Sequence, residues 1–113
     1  MNVTTTNVNG ISVVSVSEAK LTYPLLTDFV TAVTSLIESG NKRILINLEN
    51  VSYVDSATIG CLMDLYRQAN AAGGALKLAG VQKRVETMLT MTGAQNFIEV
   101  HPDEPSAVKS FGV

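Results

Sequence analysis

The run Ile44-Leu45-Ile46-Asn47-Leu48 is apolar at every position but one. A strand that is apolar on successive rather than alternate positions suits a sheet covered on both faces. Within a few residues the period changes. Beyond Tyr53-Val54-Asp55-Ser56, the residues Ile59, Leu62, Met63, Tyr66 and Ala69 fall on one face of an α-helix. A strand that gives way to a helix in this manner commits the chain to an α/β fold whose helix-joined strands are parallel, with right-handed crossovers. The chain is short enough that its long helices could also lie all on one side of the sheet.

The other elements follow from punctuation and period. Val3–Val8 and Ile11–Val16 carry closely spaced β-branched residues around Asn9-Gly10, a two-residue hairpin signal. They predict an antiparallel pair at the sheet edge. After Ser17-Glu18-Ala19-Lys20, a helix is expected from near Thr22, with Pro24 in its first turn and Gly40 at its end. Its buried stripe is Leu25, Leu26, Phe29, Val30, Val33, Leu36 and Ile37. The central helix is expected over about 56–72, stopping at Gly73-Gly74, and Ala75–Ala79 reads as a further strand. A short helix around 82–91 buries Val85, Met88 and Leu89 and stops at Gly93. Phe97–Val100 reads as a last strand, and Asp103-Glu104-Pro105-Ser106 as the cap of a terminal helix containing Ala107, Val108 and Phe111. The expected order is β-β-α-β-α-β-α-β-α: a small mixed sheet of about five strands with packed helices. No repeat or linker divides the chain, so residues 1–113 are expected to form one domain.

Composition narrows the function. The eight Lys and Arg are scattered and the net charge is −2, which does not assemble a phosphate-neutralising surface for direct nucleic-acid binding. Cys61 is the single cysteine, so neither an internal disulfide nor a multi-cysteine metal site is available. The N-terminus lacks the pattern of a secretion signal. No stretch reaches the roughly 20 apolar residues needed for membrane insertion, and a cytoplasmic location is expected. Asp55 and Asp64 are too far apart to share a helical turn, and the glycines form no phosphate-cradling pattern with Lys and Ser/Thr. No cofactor or metal is expected.

The start of the central helix is the candidate site. A cap at Asp55 or Ser56 explains one polar residue there but not the acid together with the hydroxyls of both Ser56 and Thr58. A phosphate on such a residue would add about −1.5 to −2 charge, favoured by the helix terminus and opposed by Asp55. It would repel an apolar or acidic partner docked over the turn without changing the fold. On this reading Thr58→Glu is expected to keep the fold and weaken such a partner. A serine-dependent enzyme is the rival, but it needs a general base, and His101, the only histidine, belongs to a distant segment. Thr22, Tyr23 and Pro24, and Lys83 and Arg84, are placed by topology at the same sheet end and are candidate interface residues. Edge and loop residues suit a dimer or a heteropartner equally, so self-association is left open.

With these elements in hand, the chain resembles the bacterial anti-sigma factor antagonists built on a STAS domain. The resemblance rests on the order of elements, on Val54-Asp55-Ser56-Ala57-Thr58-Ile59-Gly60, on Gly73-Gly74-Ala75-Leu76-Lys77-Leu78, and on Val85-Glu86-Thr87-Met88-Leu89 with its Thr92-Gly93 ending. It implies a non-enzymatic partner-switching protein. The implied partner is an anti-sigma factor that is also a serine kinase, with a phosphatase reversing the modification. The interface would centre on Asp55, Ser56, Ala57, Thr58 and Ile59. The family's usual motif is Asp-Ser-Ser/Thr-Gly-Leu-Gly, with the second hydroxyl as acceptor. Here Ala57 falls on the acceptor and Thr58 on a glycine. Either Ser56 or Thr58 takes the phosphate, or the protein binds without phosphorylation. The alternative role is a phosphorylation-independent STAS module in a chemotaxis, stress-sensing or lipid-transport assembly.

Overall fold

The computed structural model describes residues 3–23 and 25–112; the expected place of Pro24 in a first helical turn lies outside them. The chain starts with β1 (Val3–Val8) and β2 (Ile11–Val16), followed by a short β3 (Lys20–Leu21) and α1 (Leu25–Glu38). Then come β4 (Arg43–Asn47), a short β5 (Tyr53–Val54), α2 (Ser56–Ala71), β6 (Ala75–Ala79), α3 (Lys83–Thr92), β7 (Val100–His101) and α4 (Glu104–Ser110). The main sheet has the order β1-β2-β4-β6-β7, antiparallel only at β1–β2. The mixed five-stranded architecture is the one expected.

The hairpin turn has the backbone its residues predict. Asn9 and Gly10 both have positive φ, 53° and 81°, as the two central residues of a type I′ turn require. Val8 therefore faces Ile11, and the register runs unbroken to Val3 opposite Val16.

Both faces of the sheet are covered, unequally. Val14, Val16, Ile44, Ile46, Leu76 and Leu78 join Leu26, Phe29 and Val33 of α1, Leu62 and Leu65 of α2, and Val85 and Leu89 of α3 in the main core. Ile11, Val13, Leu45 and Ala79 point the other way, against Ala107 and Val108 of α4. The alternation along β4 (Ile44 and Ile46 to one side, Leu45 to the other) is the period-two rule of a strand. It also resolves the open question of layering: the three longer helices share one face, and the terminal helix alone covers the second.

The α4 face contains a cation. Lys77 is only 8% exposed. Its ammonium donates to the Ser110 carbonyl and hydroxyl at 3.0 and 2.9 Å, lies 3.5 Å from Glu99, and sits 4.5 Å from the centre of the Phe111 ring. A long amphipathic side chain thus crosses an apolar layer and finds its partners at the end of α4.

Three expectations are corrected. The last strand is Val100–His101, because Ala94–Asn96 form a 3-10 turn that uses the Asn96, Phe97 and Ile98 amides and leaves Phe97 exposed. A second, two-stranded parallel sheet, β3–β5, was not expected. The buried stripe of α2 is Thr58, Ile59, Leu62, Leu65 and Ala69, rotated from the expected one. Met63 and Tyr66 lie at its margin, only partly buried.

α2 stops where its glycines dictate. Gly73 has φ 82°, a left-handed conformation favourable to glycine, and its amide and that of Gly74 return to the carbonyls of Asn70 and Ala69, a Schellman-type ending.

Candidate functional site at the start of the central helix

β5 ends at Val54, a core residue, and the chain turns into α2 through Asp55. Asp55 is the N-cap, with extended backbone (φ −106°, ψ 177°). Its Oδ1 accepts the Thr58 amide at 2.9 Å and the Thr58 hydroxyl lies 2.8 Å from the same oxygen. One of the unpaired first-turn N–H groups is thereby satisfied. Both contacts favour the ionised acid. The Thr58 backbone N–H, then its side chain, hold the Asp55 carboxyl below the usual carboxylate range.

The two hydroxyls have different fates. Thr58 is completely buried, and its hydroxyl is 2.6 Å from the Leu21 carbonyl. One proton therefore serves two acceptors, the Asp55 carboxylate that caps α2 and the backbone of β3. Ser56, by contrast, is exposed, as are Ala57 and Gly60. Thr58 belongs to the inward stripe with Leu62, Leu65 and Ala69, a spacing already present in the sequence. The expectation that Thr58→Glu keeps the fold is therefore corrected: position 58 has no room in water for a carboxylate.

The exposed ridge of α2 is bordered by two shallow grooves. On one side Ser56, Ala57, Gly60, Met63 and Asp64 face Thr92, at the end of α3. On the other, Cys61 faces Tyr23, Thr27 and Val30 of the α1 region. Tyr23 is 79% exposed, a large amphipathic ring beside the ridge, and Thr22 is partly buried. Ile59 is buried beneath the ridge. Lys83 and Arg84 are exposed at the start of α3 but line neither groove. The neighbouring Gln82 instead donates to the Glu49 carbonyl. Thr92, at the opposite end of α3, and Thr27 and Val30 of α1 are contributions the sequence reading missed.

The groups gathered here are poorly suited to nucleophilic chemistry. Burial, and then the charges of Asp64 and Asp55, raise the Cys61 thiol above its ordinary value, which keeps it protonated and weakly nucleophilic. His101 contacts Glu99 at 3.2 Å and lines neither groove beside α2. Among the described residues no helix is long and apolar enough to cross a membrane.

Asp55→Ala is expected to lower stability by about 0.5–2 kcal/mol through loss of the cap. The sign of its pH dependence follows from the lowered carboxyl. The unfolded chain binds this proton more readily, so the contribution is present above the ordinary Asp value and is lost as pH falls through the folded value. Acid titrations of wild type and Asp55→Ala should converge at low pH. Parallel curves throughout would show that the cap carries no proton linkage.

Comparison with known proteins bears on this geometry. The chain is 31% identical over 68 residues to the anti-sigma-B factor antagonist of Staphylococcus aureus, a match covering 60% of this chain and 63% of that protein. The match thus spans less than two thirds of the relative's length. The structure superimposes on an anti-sigma-factor antagonist (STAS) domain protein from Planctomyces limnophilus with a TM-score of 0.89, 16% identity and 98% coverage of both chains. It also superimposes on the Bacillus cell fate determinant SpoIIAA in its phosphorylated form, with a TM-score of 0.75, 17% identity, and coverage of 96% of this chain and 98% of that one. At such identities the two structures establish a shared fold. The STAS domain profile matches residues 2–107, nearly the whole sequence, and the chain belongs to the STAS domain family.

Proposed function

We propose that this chain is an anti-sigma factor antagonist that docks a kinase-type anti-sigma factor on the exposed ridge of α2, with Ser56 as its phosphorylatable hydroxyl. STAS domains of this kind are regulatory binding modules rather than enzymes, and the named relatives include an anti-sigma-B factor antagonist. The observation that carries the reading is the division of labour between two neighbouring hydroxyls. Thr58 is enclosed and bonded to Leu21 and Asp55, whereas Ser56 lies exposed between the cap and the groove. A phosphate on Ser56 would be favoured by the helix terminus and would place a dianion in the middle of the docking ridge.

The test uses the purified chain and the kinase-type anti-sigma factor from the same genome. With ADP the two should form a complex, and Ser56→Glu should weaken it by roughly tenfold or more, since an unmatched charge in an interface costs over about 1.4 kcal/mol. With ATP, mass spectrometry should find phosphate on Ser56 and none on Ser56→Ala. Absence of a complex in either nucleotide would overturn the reading.

A second reading has its own support. Ala57 occupies the position that carries the acceptor in the family's usual motif, and alanine takes no phosphate. A complex that persists in ATP with no modification at Ser56 would identify a phosphorylation-independent binder using the same ridge.

A further inference from the structure

We propose that the free edge of β1 pairs with β1 of a second copy of this chain, giving a two-fold dimer with a continuous sheet. Among the described residues β1 has one strand neighbour, β2. In a two-residue hairpin the pair flanking the loop exchanges hydrogen bonds, and the pattern then alternates. With Val8 opposite Ile11, the backbone groups of Val8, Thr6 and Thr4 are used by β2. Those of Val3, Thr5 and Asn7 face outward, on the side where no described strand pairs with β1.

Proteins ordinarily blunt such an edge with a charge, a proline, a bulge or a covering segment. Val3-Thr4-Thr5-Thr6-Asn7-Val8 has no charged residue and no proline, and its register is free of bulges. Thr4 to Asn7 are all exposed. The opposite edge is protected by contrast, since β7 has just two residues and lies beside the Glu99–His101 contact.

The strand's own sequence selects the second copy as occupant. A two-fold axis through Thr5 sets Thr5 against Thr5, Thr4 against Thr6, and Val3 against Asn7. The outward groups then meet as hydrogen-bonded pairs at Val3, Thr5 and Asn7, threonine lies opposite threonine at the centre, and no like charges meet. An edge of this length buries little area, so the dimer is weak and concentration-dependent. It leaves both α2 ridges free, because β1 lines neither of their grooves. The inference is therefore independent of the proposed function.

Sedimentation of the full chain from about 10 μM to about 1 mM should show the mass rising from 12.0 kDa toward twice that value. Amide exchange at Thr5 and Asn7 should slow over the same range, while Thr4 and Thr6 stay protected throughout. Thr5→Pro removes an outward N–H without touching the hairpin ladder, and should weaken association by roughly tenfold or more. Thr5→Lys sets two cations across the axis, leaves every backbone group in place, and should also weaken it. A single 12.0 kDa species at every concentration, or a dimer indifferent to both substitutions, would overturn the proposal.

Discussion

Thr58→Glu is expected to lower the stability of the protein by about 3 kcal/mol or more, whereas Ser56→Glu should leave it within about 0.5 kcal/mol. The two residues are neighbours in sequence and opposites in environment. Glutamate at 58 would replace a buried hydroxyl that donates a proton with a larger acid that accepts, beside the Asp55 carboxylate and the Leu21 carbonyl. A charge forced into that position meets the Asp55 carboxylate and the Leu21 carbonyl, and burying a carboxylate against such acceptors is among the costliest single changes a domain can suffer. At Ser56 the same side chain extends into water at a helix start, where a negative charge is tolerated or mildly favoured. Urea unfolding of the two variants measures this directly. Equal midpoints would show that Thr58 is not enclosed as described.

Leu45→Ala is expected to cost about 2–5 kcal/mol. Leu45 is wholly buried in the smaller core, with Ile11, Val13, Ala79, Ala107 and Val108. That layer has few side chains able to move into a void, and α4 alone covers it, so the cavity term should remain close to its full value. The loss should also be uneven. Amides of α4 should exchange faster than those of α2, because α4 is held to the sheet through the layer being emptied. A uniform change across both helices would mean that the two faces unfold as one unit.

The elements that strong local chemistry dictates were legible in the sequence. Asn9-Gly10 specifies its turn through two positive φ angles, the apolar β4 and β6 lie in the centre of the sheet, and Asp103 caps α4 through the Ser106 amide. What escaped was structure too short to carry a period. β3 and β5 have two residues each and exist because they pair with one another, a relation between segments far apart in the chain. Phe97 has the propensity of a strand residue, but the 3-10 turn before it takes the backbone elsewhere. The direction of Thr58 was available and was outweighed by chemistry: a hydroxyl next to an acid suggests a surface, while its spacing from Leu62, Leu65 and Ala69 places it inside. Thr92 was missed because it reaches the α2 groove from the far end of another helix.

The single hydroxyl bond from Thr58 to Leu21 has a consequence for how the ridge meets a visitor. It fastens the first turn of α2 to a strand on a separate ribbon, with Asp55 completing the clasp. The start of the ridge is therefore anchored within the fold itself. If a partner docks there as proposed, association should involve little loss of backbone freedom and little delay for rearrangement. Variants of the ridge should accordingly arrive at similar speeds and differ in how long they stay.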